Sequence, residues 1–193
     1  KTEANPKFMR SVLHQYDVCV VAAGARVDMA AYAGVEGRER IVDALDVAAG
    51  RVTTGKRVMV LGGNKVGLVV AESLRKRGAE VTLVERGKRI AEDVMPTFKW
   101  RHMSWVDELE IRTLTLTRLV RVTAEGAVVV DAKGVETVIP ADTVIAAAPR
   151  RSNQELFAEF EWMVDELHGC GDVVMPRGLD AAIHEGYRLG VRI

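Results

Sequence analysis

Cysteine is scarce in this sequence: Cys19 and Cys170 are its only two. No CxxC occurs, which excludes a zinc knuckle, a thioredoxin-type motif and a cysteine-ligated iron–sulfur cluster within these residues. An excess of charge is missing too, because 27 Lys and Arg balance 27 Asp and Glu. Polyanion binders normally carry a basic excess, so no nucleic acid and no anionic membrane is expected as a partner. No apolar run approaches the ~20 residues that span a bilayer. The stretch from Lys1 to Tyr16 is charged and polar, without the apolar core or cleavage signature of a secretion signal. His14, His168 and His184 are not grouped with carboxylates at ligand spacing, so no metal site is expected. Ser73 and Ser152 lack a nucleophile-elbow context, and no catalytic side chain is assigned. The unpaired cysteines point to a reduced, cytoplasmic setting. Position 1 is not Met, so a piece of a longer protein is expected.

What is present is the balance of a globular α/β protein, with 48% hydrophobic and 28% charged residues. Val18 to Ala22 and Val58 to Leu61 are continuous apolar runs, as expected of parallel strands buried on both faces. Between them, Ile41 to Ala49 reads as helical. Residues 65–77 read as a helix with Val66, Val69, Val70 and Leu74 on one face, ended by Gly78. Val81 to Val84 is the next strand, so residues 57–85 spell a βαβ unit. A helix from Pro96 to about Leu109 follows, packed through Trp100, Met103 and Trp105 around His102. Residues 117–139 change to short β-rich runs separated by Glu125-Gly126 and Lys133-Gly134, the pattern of an antiparallel meander. Thr143 to Ala147 is another buried run, and helices from about Asn153 and over Leu179 to Leu189 complete the chain.

The chemistry concentrates in Gly62-Gly63-Asn64-Lys65-Val66-Gly67, at the turn between strand and helix. A dinucleotide fold asks here for G-x-G-x-x-G, with the helix amino terminus offering N–H groups to a diphosphate. Gly62 and Gly67 fit the pattern, while Asn64 stands where the middle glycine belongs and takes up room. Glu85, at the end of the following strand, suits an adenosine ribose and favours NAD. Arg86 and Arg89 suit a ribose phosphate and favour NADP. The two tendencies oppose each other and the choice stays open. A glycine turn kept only for packing is the competing reading.

Longer segments then carry a family resemblance. Tyr16 to Gly24, ending in Ala22-Ala23-Gly24, resembles a strand closing in A-T-G. Asp142 to Pro149 resembles a return strand, with Ala148 where glycine is common. Gly171-Asp172, Pro176-Arg177 and Asp180-Ala-Ala-Ile-His-Glu-Gly-Tyr-Arg-Leu-Gly190 resemble a G-D-x-x-x-P-R…A-I-H-E-G closing segment. Over residues 15–193 the chain resembles the carboxy-terminal region of the 2,4-dienoyl-CoA reductase / trimethylamine dehydrogenase family, whose front half is similar to Old Yellow Enzyme. The resemblance implies a Rossmann-like three-layer NAD(P)-binding domain with a β-meander, at 52–150. That domain would be inserted in a partial FAD-binding domain of glutathione-reductase type, at 1–51 and 151–193. It implies that NAD(P)H sits at residues 62–67 with Glu85 and Arg86. FAD would meet Ala23, Gly24, Gly171 and Asp172, the last through its ribityl chain.

The same resemblance places the FMN barrel, the iron–sulfur cluster and the first FAD βαβ unit in a missing front half. It implies reduction of an enoate or enoyl-CoA, or alternatively a module that only holds an adenine nucleotide. Without the first βαβ unit, the chain is expected not to hold FAD stoichiometrically, and to expose apolar surface that favours self-association. Paired arginines at Arg150-Arg151 could approach a phosphate. Cys19 and Cys170 are expected near each other without forming a redox pair.

Overall fold

The computed structural model describes residues 5–193. The chain opens with α1 (Pro6–Val12), β1 (Val18–Val21), β2 (Ala25–Val27), β3 (Ile41–Asp43) and α2 (Ala44–Ala48). Then come β4 (Arg57–Leu61), α3 (Lys65–Lys76), β5 (Glu80–Val84), α4 (Pro96–Glu108) and β6 (Arg112–Leu114). The strands β7 (Arg118–Val122), β8 (Gly126–Val130), β9 (Glu136–Pro140) and β10 (Thr143–Ala146) follow. The chain closes with β11 (Arg150–Ser152), α5 (Glu155–Phe160), β12 (Glu166–Gly169) and α6 (Leu179–Gly190).

These elements form two compact units, an inner one over Val27–Pro149 and an outer one made of the residues up to Arg26 with Arg150–Ile193. The inner unit holds a five-stranded sheet in the order β3-β10-β4-β5-β6, parallel throughout. Alternation within β4 fixes its two faces. Val58 and Val60 point into a core with Ala44, Leu68, Ala71 and Val106 from the helices, whereas Met59 and Leu61 join Leu119, Ala127, Val129 and Ile139 of the meander. Helices, sheet and the antiparallel β7-β8-β9 meander are therefore three layers, and the fold is mixed α/β with a parallel sheet.

At the start of the sheet, Asp142 ties β10 to β4. Its carboxylate accepts from the Arg57 amide at 2.9 Å and from Arg57 Nε at 3.1 Å, while its own amide donates to Arg57 O. The boundary of the inner unit falls at 26/27, so residues 27–51 belong with it rather than with the outer residues. The reason is β3. Ile41–Asp43 is a strand, not the beginning of a helix, because it pairs with β10 and puts Ile41 into the meander-side core. Asp43 then caps α2 by accepting from the Leu45 amide.

Two helical faces also differ from the periodic reading. On α3 the buried residues are Gly67, Leu68, Val70, Ala71, Glu72 and Leu74, and Val69 is exposed. On α4, His102 and Val106 are buried and Trp100 is exposed. His102 Nδ1 lies 2.7 Å from Glu72 Oε1, a buried polar contact between α3 and α4. Trp105 meets the His102 ring edge-on at 5.7 Å and is itself covered by Lys76 and Arg101.

The outer unit pairs β1 with β12 in parallel and packs Leu13, Cys19, Val21, Phe160 and Val173 together. Cys19 is buried and free, and burial pushes its thiol pKa up. No residue of α6 is buried, and Leu179, Ile183 and Tyr187 present an apolar stripe to solvent. No helix among the described residues is long and apolar enough to cross a membrane.

Two outcomes check these packing assignments. His102→Ala leaves the Glu72 carboxylate buried without its partner and should cost about 3 kcal/mol of unfolding free energy in urea titration, with Glu72→Leu/His102→Leu recovering much of it. The Arg57 guanidinium holds the Asp142 carboxyl down at about 2. Its contribution is therefore complete above the unfolded value of ~4 and is lost as pH falls toward 2. Asp142→Asn should flatten the fall in melting temperature between those two pH values.

Candidate functional site

The strand order reverses at β4, which has β5 on one side and the much later β10 on the other. In open parallel sheets, ligands enter the crevice outside the carboxyl ends of the strands at such a reversal. Residues 62–67 run from the end of β4 into the first turn of α3 at this point, as the sequence pattern requires. Gly62 has φ +109°, and a Cβ there would lie 2.5 Å from Ala148 Cβ in the segment that follows β10. A Cβ on Gly67 would lie 1.9 Å from the Gly62 carbonyl oxygen, so glycine is what lets α3 meet the strand so closely.

Asn64 adopts an extended backbone rather than a left-handed one, and is the N-cap of α3. Its side chain accepts from the Gly67 amide at 2.9 Å and donates to Ala147 O at 2.9 Å. The Lys65 amide donates to Asp93, 2.9 Å and 3.1 Å from the two carboxylate oxygens. The Gly63 amide donates to Glu85 Oε2 at 2.7 Å, and the Gly87 amide to Glu85 Oε1 at 2.6 Å. Ile90 packs where a Gly63 Cβ would be, and the Ala91 amide donates to Gly63 O. Residues 85–93 thus close over the turn, and Gly62 and Gly63 are buried.

This arrangement corrects one expectation. The turn is in place, but it is not an open, amide-lined hollow, because carboxylates and an amide side chain of the same chain already fill three of its N–H groups. A diphosphate placed on the Lys65 amide would meet the Asp93 carboxylate, so that amide is not open to one as folded. Val66 lies half-buried on the first turn of α3 and faces the adjoining helical core.

Further along the crevice the picture changes. Tyr32, Gly62, Glu85, Arg86, Arg118 and Ala148 line a cavity of about 150 Å³. The Tyr32 hydroxyl donates to Ala148 O, and burial pushes the phenol up to about 12, so it stays a protonated donor. Arg86 lies 5.9 Å from the centre of the Tyr32 ring. The loop leading into Arg118, the first residue of β7, is held against the segment that carries Arg86, with Thr117 N–H on Glu85 O at 3.0 Å and Leu116 N–H on Gly87 O at 2.9 Å. Arg89, by contrast, pairs with Glu92 and does not line the cavity. Tyr32, Asp93 and Arg118 carry no sequence signature, since their roles depend on loops that meet only in the fold.

The remaining candidates lie in the outer unit. Ala23 and Gly24 follow β1, with Gly24 at φ +70° and its carbonyl accepting from Asn153. Gly171, at φ +72°, donates its amide to Glu185 at 2.8 Å. Asp172 accepts from Arg150 Nη1 at 3.1 Å and from the amides of Arg177 at 3.0 Å and Gly178 at 3.2 Å. Burial pushes its carboxyl pKa up, but those amides and the arginine outweigh it and hold it below the usual range. Three of its roughly four acceptor positions are therefore taken, leaving one open. Arg150 is thus a partner of Asp172 rather than a free loop cation.

A parallel sheet with a glycine turn, an acid and a basic loop at its carboxyl edge defines a nucleotide-binding α/β module. Residues 9–173 match the pyridine nucleotide-disulphide oxidoreductase family, and the chain belongs to it. It is an FAD/NAD-binding module of the flavin oxidoreductases. It is 26% identical over 222 residues to a metal reductase of Desulforamulus reducens, covering 99% of this chain and 33% of the relative. It is 31% identical over 181 residues to an NADH oxidase of Thermoanaerobacter brockii, covering 92% of this chain and 28% of that one. Among solved structures, a 2-naphthoyl-CoA reductase complex superposes with a TM-score of 0.90 at 28% identity, over 100% of this chain and 29% of that protein. The chain therefore spans about a third of the length of these relatives.

Gly62→Ala should be among the most damaging small substitutions in the crevice, since it combines a positive φ with a methyl–methyl collision. A loss of about 2 kcal/mol or more in stability is expected, read by urea unfolding, against a near-neutral Gly34→Ala control, where the backbone is not left-handed and a Cβ would meet open space.

Proposed function

We propose that the chain is the pyridine-nucleotide-binding part of a longer flavin-dependent reductase, with NAD(P)H entering the carboxyl-edge crevice of the inner unit. The reading rests above all on the reversal of strand order at β4, with the Gly62–Gly67 turn, Glu85 and Arg86 at one edge. In this scheme a reduced nicotinamide supplies hydride to FAD in the whole protein. This chain's residues bind and orient: Glu85 fixes the turn, Tyr32 holds the Ala148 carbonyl, and Arg86 attracts the anionic ligand. The outer unit would be part of an FAD domain, with Asp172 offering its remaining acceptor position and Gly24 and Gly171 allowing close backbone approach. FMN and an iron–sulfur cluster belong, in this proposal, to the part of the protein outside this chain.

For the substrate we favour an unsaturated acid or acyl thioester, following the narrower resemblance to the 2,4-dienoyl-CoA reductase / trimethylamine dehydrogenase family and the name of the 2-naphthoyl-CoA relative. A second reading, a module that holds an adenine nucleotide without passing electrons, draws on Asp93, Asn64 and Ala148, which narrow the crevice where a diphosphate and nicotinamide would run.

Calorimetric titration with NADH, NADPH and ADP separates the readings. Binding of a reduced dinucleotide more tightly than ADP supports the reductase module, equal binding supports the adenine-only module, and no binding at millimolar ligand removes both. The purified chain should also be colourless, without stoichiometric flavin absorbance, and should self-associate in sedimentation through surfaces such as the α6 stripe.

A further inference from the structure

In a dinucleotide fold the glycine turn ordinarily supplies the anion site, through N–H groups at the start of the helix. Here three of those groups are engaged from within: Gly63 by Glu85, Lys65 by Asp93 and Gly67 by Asn64. Asp93 adds a formal negative charge at the place where a diphosphate would carry its own. Electrostatic recognition by the turn is correspondingly weak.

The cavity beside it has the opposite character. Arg86 and Arg118 both line it, both are exposed, and neither has a carboxylate in its ion pairs among the described residues. Arg86 rests against the face of Tyr32, whose hydroxyl is directed to Ala148 O. The nearby acid, Glu85, does not neutralise them through a salt bridge, since its two oxygens hold the amides of Gly63 and Gly87. Backbone hydrogen bonds from Thr117 to Glu85 and from Leu116 to Gly87 hold the segment before Arg118 against the segment that carries Arg86, at the end of β5.

We propose that this crevice reads the charge of its ligand at Arg86 and Arg118 instead of at the glycine turn, and so takes adenine dinucleotides bearing a phosphate monoester on the adenosine ribose. The inference rests on the nucleotide-binding reading above and narrows it to NADPH over NADH. Two guanidiniums converging on a dianionic phosphate form charge-assisted hydrogen bonds of the strongest kind available to side chains. Glu85 would ordinarily argue against that phosphate, but its carboxylate is directed into the turn. Asp93 is the second determinant. By repelling the diphosphate common to both dinucleotides, it lowers the affinity for each and leaves the ribose phosphate as the dominant anchor.

The full chain is titrated by calorimetry with NADPH, NADH, adenosine 2′,5′-bisphosphate and ADP. NADPH should bind at least tenfold tighter than NADH, and the bisphosphate at least tenfold tighter than ADP. The gap should narrow between 50 and 500 mM salt, as expected of exposed charges. In Arg86→Ala/Arg118→Ala, NADPH affinity should fall to that of NADH, while an unchanged melting temperature shows that the variant is folded. Asp93→Asn should tighten NADPH, NADH and ADP together and leave the NADPH/NADH ratio in place. Equal or tighter binding of NADH, the preference implied by the name of the 31%-identical relative, overturns this inference while the nucleotide-binding reading stands. A gap that survives in the double arginine variant also overturns it. Failure of all four ligands to bind at millimolar concentration overturns the inference and the reading beneath it together.

Discussion

The crevice is organised by one carboxylate. Glu85 stands at the end of β5 and receives the Gly63 amide on one oxygen and the Gly87 amide on the other. Hydrogen bonds to an ionised acceptor are roughly twice as strong as neutral ones, and both of these are short. They determine the path of the chain on either side: the turn into α3 is drawn toward β5, and the loop after β5 is folded back over the turn. Ile90 then packs on Gly63, Ala91 bonds its carbonyl, and Asp93 arrives at the first amide of α3. The residues that would recognise a ligand's ribose and those that would recognise its phosphates are coupled through this single side chain.

Such coupling makes the crevice asymmetric in charge. Its turn end carries Asp93 against the helix terminus, and its cavity end carries two arginines. A side chain that occupies an anion site costs little in the free protein, since a helix amino terminus stabilises an acid there by several tenths of a kcal/mol. The same contact discriminates among ligands, because only those with charge placed elsewhere avoid it. Membership in the pyridine nucleotide-disulphide oxidoreductase family is therefore compatible with a departure from the usual glycine pattern at Asn64. The asparagine serves the helix as its cap and serves the sheet by donating to Ala147 O.

Much of this architecture can be read from the sequence, and the exceptions have physical causes. Val58 to Leu61, the glycine turn, α3, β5 and the meander follow from periodicity and glycine placement, because each satisfies its pattern locally. Ile41–Asp43 escapes because a three-residue strand running straight into α2 offers no alternation to recognise, and its identity comes from β10, some hundred residues later. Periodicity places Val69 and Trp100 inward because hydrophobicity alone sets a periodic face. The buried face of α3 instead turns toward α4, where Glu72 and His102 satisfy each other and can be enclosed. Gly62, Gly67 and Glu85 were legible as a site. Asp93 and Arg118 were not, because what matters about them is where folded loops deliver them.

The chain leaves the outer unit through β2 and returns through β11, and these two strands pair with each other. The two ends of the inner unit are therefore adjacent, a spacing that permits one domain to be nested in another without long connections. Such a module is portable. Recombination can move it as a cassette between host enzymes, keeping its own sheet and crevice while the chemistry around it is exchanged.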